Sequence, residues 1–259
     1  MSASLRGLIL TYHAIATGPP PLHVDPRLFE RHVVSLAEAR VTALTMCELA
    51  DALRIGSLPE RSVSITFDDG FASIADNAAP VLARHGLRAT VFAVANHVGG
   101  SSDWSTQPAS APRLPLLDAE RLRSLAAAGW EIGSHGRTHR PLVSLDAAGL
   151  REELAGSRSA LEDLIGVPVR SFAFPYGSIP NGAGYALVEA GYVTACTTRP
   201  GHVSLGSDPL ALPRVDAHYL RGPARLRRAA SGGDRAYLTV RRVASRARRL
   251  VATDYRTTR

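Results

Sequence analysis

The chain contains no lysine: all thirty of its basic side chains are arginine. It has two cysteines, Cys47 and Cys196, far apart and without a CxxC or Cys/His ribbon spacing, which excludes a disulfide framework and a thiolate zinc ribbon. Both read as small buried apolar residues. No apolar run approaches the ~18 residues of a membrane-spanning helix. Aromatic residues make up 6% of the chain, too few to imply an extended sugar-stacking groove. From Met1 to Pro21 the one apolar stretch, Leu8 to Tyr12, is cut short by His13, and the basic, apolar and small-residue order of a secretory signal is missing. The expected setting is cytoplasmic.

What remains is a globular composition, 259 residues and 45% apolar, enough for one large domain or two small ones. The net charge of +7 is unevenly spread. Residues 221–259 carry twelve Arg against Asp234 and Asp254, whereas the rest carries 18 Arg against 21 acidic residues. The body is mildly acidic and the basicity belongs to the C-terminal segment.

Hydrophobic periodicity predicts alternating elements. Strands are expected at Leu8–Tyr12, Ser62–Phe67, Ala89–Val94, Trp130–Ile132, Phe172–Phe174, Tyr192–Ala195 and Leu212–Val215. Between them, helices are expected at Pro26–Ala39, Cys47–Leu53, Ile74–His85, Asp118–Ala128, Asp146–Ile165 and Gly184–Ala190. Repeated strand–helix units imply a parallel sheet, open or closed into a barrel. Residues 99–115 form a long Gly-, Ser- and Pro-rich loop holding Trp104, which suits either a sugar platform or a loop anchor.

Three stretches place polar residues where strands hand over to loops, the end of a parallel sheet at which active sites assemble. In Thr66-Phe67-Asp68-Asp69-Gly70 two adjacent carboxylates either form an ordinary Asp-Gly turn or are kept apart by a cation or proton. In Ser134-His135-Gly136-Arg137-Thr138-His139 the histidines are four apart, as a surface pair or as two neutral ligands to one metal. Asp69 could complete a two-His, one-carboxylate set with positions open for water and substrate. Phe172-Ala173-Phe174-Pro175-Tyr176-Gly177 reads as a strand and a Pro turn, or as a rigid loop aiming an N–H at an oxyanion.

The order TFDDG, SHxxTH, FAFPYG resembles the polysaccharide deacetylase family, also called NodB-homology or carbohydrate esterase 4. Ala89-Thr90-Val91-Phe92 and Gly129-Trp130-Glu131-Ile132-Gly133 fit the same pattern, and the likeness runs from about Leu8 to Val215. The resemblance implies an α/β fold, a distorted (β/α) barrel of about seven parallel strands with outer helices. It implies a metal-dependent hydrolase removing N-acetyl groups from a carbohydrate, polysaccharide or lipid-linked. Hydrolysis of O-acetyl, formyl or cyclic amide groups, or carbohydrate binding without catalysis, are the alternatives. Asp68 becomes the base, Asp69, His135 and His139 the ligands of a divalent metal, with zinc the expected ion, and the Tyr176 N–H an oxyanion donor.

Two departures matter. Ala173 stands where many members have an arginine, and Arg214, in Leu212-Pro213-Arg214-Val215, looks like its replacement. No late Leu-x-His motif supplies a general acid. The opening Leu8-Ile9-Leu10-Thr11-Tyr12-His13 resembles the variant of permuted members, so His13 is expected as the acid, with His218 the distant alternative and a hydrogen-bonded histidine under a loop the structural one. The expected organisation is a deacetylase domain over 1–220 and an Arg-rich helical tail over 221–259. In the tail, Tyr237, Val240, Val243, Ala244, Ala247, Leu250 and Val251 would line one side of a helix. That side would pack on the barrel or lie on an anionic membrane surface; nucleic acid is an unfavoured partner of an acidic body.

Overall fold

The computed structural model describes residues 5–107 and 110–254, with side chains described as far as Ala244. The chain runs β1 (Leu8–Tyr12), β2 (Ala14–Ile15), β3 (His23–Val24), α1 (Pro26–Glu38), β4 (Thr42–Ala43), α2 (Met46–Arg54), β5 (Ser62–Phe67), α3 (Ala79–Arg84), β6 (Thr90–Ala93), α4 (Ala119–Ala127) and β7 (Glu131–Ser134). It continues through α5 (Ala147–Arg151), α6 (Ser157–Ile165), β8 (Ser171–Ala173), α7 (Ala183–Glu189), β9 (Thr194–Cys196), β10 (Val215–Asp216), α8 (Pro223–Ala230) and α9 (Arg235–Asp254).

The main sheet has the order β10-β1-β5-β6-β7-β8-β9, every pair parallel, with β4 added beside β5. This is the expected distorted barrel of seven parallel strands ringed by helices. β5 is buried along its whole length, as a strand covered on both faces must be. Ile9, Phe92, Ala173, Cys196 and Leu212 belong to one apolar cluster with Met46 and Leu49 of α2. Helix α2 caps the N-terminal end of the strands, where Met46 N–H donates to Thr90 Oγ1 and Cys47 N–H to Glu131 Oε2. Cys47 and Cys196 are both free, in keeping with the absence of a disulfide framework.

Helix starts follow their caps. Asp25 accepts from Arg27 and Leu28, Thr45 and Glu48 form a reciprocal capping box, and Asp118 accepts from Arg121. Two expected helices are interrupted. Ile74–Ala78 is a widened π turn ahead of Pro80, whose missing N–H prevents a regular α ladder through that point. Glu152–Gly156 is a second π turn, splitting the predicted Asp146–Ile165 helix into α5 and α6; there Ser157 Oγ donates back to Glu153 O and Leu154 O.

The expected strand Leu212–Val215 is also broken. Leu212 bridges Cys196 on one side of the seam, and Val215–Asp216 pairs with β1 on the other. Pro213 between them has no N–H to give to a ladder. The break lets Arg214 N–H bond Arg199 O while its side chain turns inward.

Beyond residue 220 the chain stays on the body. Leu226, Ala229, Ala230 and Leu238 are buried in the main core, His32 Nε2 donates to Arg221 O, and Ser35 Oγ donates to Pro223 O. Among the described side chains of α9 the buried one is Leu238, while Val240, Val243 and Ala244 of the expected apolar stripe are exposed. The helix is turned because Tyr237 hydroxyl donates to Tyr219 O and the Arg241 guanidinium stacks 3.5 Å over the Tyr219 ring. Ala247, Leu250 and Val251 lie outside the residues whose side chains are described. No helix among the described residues is long and apolar enough to cross a membrane.

Candidate active site

Parallel strands bring the residues past their C-terminal ends to one rim. The sheet ladders extend into these residues: Asp68 N–H donates to Tyr12 O at 2.9 Å and His135 N–H to Ala93 O at 2.8 Å. Asp69, His139 and Tyr176 have φ of +69°, +58° and +57°, so half of the six non-glycine residues in the left-handed region among the described residues sit on this rim. Such backbone costs free energy and persists where the surroundings hold it. Gly136, at φ +82°, is needed as well: a Cβ there would lie 2.8 Å from Glu153 Oε2.

Asp69, His135 and His139 converge, all three buried, with their candidate ligand atoms within 4.8 Å of one another. Asp69 Oδ1 lies 3.5 Å from His135 Nε2 and 3.2 Å from His139 Nε2, yet has no hydrogen-bond geometry to either. His135 Nδ1 donates to Ala173 O at 2.8 Å, so Nε2 of the neutral ring presents its lone pair to the carboxylate. Burial lowers the His135 pKa to about 4, which keeps that ring neutral near pH 7. Burial also works to raise the Asp69 carboxyl, but the neighbouring histidines, His139 foremost, outweigh it and hold the group ionised. A buried carboxylate oxygen facing the His135 lone pair is a repulsive contact that a divalent cation resolves, and the donor set suits zinc-like ions. The residues present fit a metal.

The loops around this trio brace one another. The Trp104 ring lies 4.2 Å from that of His139, and at 7% exposure it is a loop anchor rather than an open sugar platform. Thr106 Oγ1 donates to His139 O and contacts the Tyr176 hydroxyl, which lies 3.1 Å from His139 Nδ1. Glu153, on the π turn, accepts from the N–H groups of Arg137 and Thr138 and from the Thr138 hydroxyl. Glu153 was invisible in the sequence because only the irregular turn brings it to the 135–139 loop.

Beside the trio, Asp68 and Arg214 form a fork-to-fork pair: Nη1 to Oδ1 at 2.7 Å and Nη2 to Oδ2 at 2.8 Å. Arg214 is 1% exposed and also donates to Thr66 Oγ1 and Thr197 O. Burial would raise the Asp68 carboxyl, but the Arg214 charge overrides it and holds the pKa below the ordinary value. Arg214, the expected replacement for an arginine at Ala173, thus reaches Asp68 from the far seam of the barrel.

Asp68 and Arg214 line a cavity of about 180 Å³ together with His13, Asp216, Tyr219 and Arg241. His13 Nδ1 is buried without a hydrogen-bond partner. His218 does not line this cavity; it sits on the turn after β10, its N–H bonded to Asp216 and its ring against Tyr219. Tyr219 and Arg241 went unnoticed in the sequence, since neither belongs to a motif and Arg241 is one of many arginines in a basic segment.

The family model described as polysaccharide deacetylase matches residues 55–195. The YxkH protein of Bacillus subtilis is 29% identical over 208 residues, covering 80% of this chain and 70% of that protein. A poly-β-1,6-N-acetyl-D-glucosamine N-deacetylase of Staphylococcus epidermidis is 28% identical over 182 residues, covering 66% of this chain and 60% of its own length. Among solved structures, IcaB from Ammonifex degensii superposes with a TM-score of 0.73 at 24% identity, covering 86% of this chain and 97% of that one, which is a likeness of fold. A polysaccharide deacetylase from Bacillus cereus, BC0361, gives 0.68 at 25% identity over 82% of this chain and 65% of that chain.

Proposed function

Because the chain belongs to the polysaccharide deacetylase family, we propose that it hydrolyses N-acetyl groups of an amino-sugar glycan. The cation, with zinc the expected ion, would be held by Asp69, His135 and His139. The observation that carries this reading is the buried trio, one carboxylate and two imidazoles, set beside a second carboxylate clamped by a buried arginine. The N-deacetylase activity in the name of the Staphylococcus epidermidis relative supports an amide as the scissile group.

When bound, the cation supplies Lewis acidity, polarising the acetamide carbonyl and lowering the pKa of the attacking water. Asp68 accepts the water proton. Its two oxygens each give one lone pair to Arg214 and keep another for this work. The Tyr176 N–H donates to the oxygen on which negative charge develops. His13, across the same cavity from Asp68, protonates the departing nitrogen, which leaves as an amine rather than as an amide anion. The products are acetate and the free amino sugar.

The test is acetate release from N-acetylglucosamine oligomers by protein stripped with a chelator and then resupplied with metal. Release that depends on the metal supports the reading. Release from O-acetylated oligomers alone would move the chemistry to ester hydrolysis, and binding without release from any acetylated substrate would make the chain a carbohydrate-binding relative.

A further inference from the structure

A second cavity, about 830 Å³, lies beside the catalytic one. It is lined by Arg6 just ahead of β1, Arg199 and His202 from the loop after β9, and Arg235 and Arg242 of α9. No carboxylate lines it among the described residues, and none of the four guanidiniums has a carboxylate within ion-pair distance there. This is not a general feature of the basic segment. Arg225 and Arg228 pair with Asp234, and Arg227 pairs with Glu38. Arginines are matched with acids in one part of the segment, whereas those lining the groove have no acid partner among the described residues.

Gathering four like charges is unfavourable unless an anion joins them. Arg6 Nε is buried with no hydrogen-bond partner, and so is Nε of Arg241, which lines the catalytic cavity one residue away from Arg242. His202 is already committed: its Nε2 donates to Ala229 O, and burial lowers its pKa. Pro200 is a wall of both cavities. The cationic groove therefore adjoins the cavity of Asp68 and His13.

We propose that this groove binds a phosphate-type oxyanion carried by the glycan that is deacetylated next to it. The proposal rests on the deacetylase reading for its substrate-borne source, and on the groove itself for the oxyanion. One carboxylate brings a single charge and two oxygens to four guanidiniums. A phosphate or pyrophosphate group offers more charge and more acceptor oxygens, in a geometry that arginine matches bidentately.

Two arms test it on the full chain. In the first, inorganic phosphate and pyrophosphate are titrated calorimetrically into wild type and into the Arg199→Gln/Arg242→Gln variant. Wild type should bind, weakening with salt, and the variant should bind about tenfold more weakly or worse. No binding by wild type, or equal binding by both proteins, overturns the site. Arg6→Gln repeats this arm should circular dichroism show the double variant unfolded.

In the second arm, acetate release from an N-acetylglucosamine oligomer is compared with release from the same oligomer bearing a phosphate ester. A higher kcat/KM for the phosphorylated oligomer, collapsing about tenfold in the variant, supports the substrate-borne oxyanion. Equal rates for the two oligomers overturn that source. Arginine-dependent capture by anionic phospholipid vesicles, with no preference between oligomers, would reassign the groove to a lipid surface. If neither oligomer releases acetate, the deacetylase reading has failed, while the first arm still decides the oxyanion site.

Discussion

The two sides of the barrel mouth are held by different means. The proposed metal side, Asp69, His135 and His139, hangs on loops after β5 and β7, inside the 55–195 span that the family model matches. Its geometry is local: strained backbone at Asp69 and His139, rings packed on His139, and Glu153 under the loop. The proton side is drawn from the ends of the chain, His13 after β1 and Arg214 before β10, with Tyr219 and Arg241 beyond it. Its central link, Asp68 to Arg214, joins residues 146 apart in sequence. A site divided in this way should be separable by mutation: changes on one side remove the cation, and changes on the other remove proton transfer or weaken the fold.

The largest separation is expected from the ligands. His135→Ala and His139→Ala should lose metal and activity together, by about 10³-fold or more if several kcal/mol of Lewis-acid stabilisation disappear. Full metal occupancy in either variant, by elemental analysis, would break the division at its first side. On the other side, His13→Ala should retain the metal and lose about 10²-fold in kcat. His218→Ala should remain close to wild type. The reverse pattern would transfer the acid role to the residue outside the cavity.

Arg214→Met sharpens the contrast through stability. It leaves Asp68 buried and uncompensated, and breaking such a pair costs about 3–5 kcal/mol by chemical denaturation. The folded remainder should show an acid limb of kcat/KM moved to higher pH, because the charge that holds Asp68 below its ordinary pKa is gone while its burial remains. An unmoved acid limb would show that Arg214 does not set the state of the base.

A smaller effect separates the sides without mutation. In metal-free protein the His135 pKa is lowered to about 4, mainly by burial. The folded state then binds fewer protons than the unfolded one, so this contribution is complete above about pH 6.5 and is lost as pH falls through about 4. The loss is on the order of 3 kcal/mol at most, read as a falling Tm. A bound cation should carry the loss on to lower pH, since protons must then compete with it for the neutral imidazole. The same acid sensitivity with and without metal would argue against His135 as a ligand.

The metal side was legible in the sequence because its pieces are local. Asp68 and Asp69 directly follow a strand read at its observed bounds, Ser62–Phe67, and the two histidines share one loop. The proton side was legible only in part. His13 and Arg214 could be named from their neighbours, but the break at Pro213 that swings Arg214 inward depends on strands pairing across the seam. Trp104 had two readings until its own burial against His139 decided between them. Arg241 carried no signal, because helical spacing within a basic segment does not reveal which face meets the body. The tail was phased by its apolar residues, whereas Leu238 and the Tyr219 contacts orient it.

The most direct measurement takes metal content and acetate release from the same preparations of wild type, Asp69→Ala and Asp68→Asn. Wild type should hold stoichiometric metal and release acetate from an N-acetylglucosamine oligomer. Asp69→Ala should hold none and release none, and Asp68→Asn should hold as much metal as wild type with kcat/KM reduced by about 10²–10⁴. Acetate release by metal-free Asp69→Ala, or wild-type turnover by Asp68→Asn, would contradict a metallohydrolase whose cation and base sit on adjacent carboxylates.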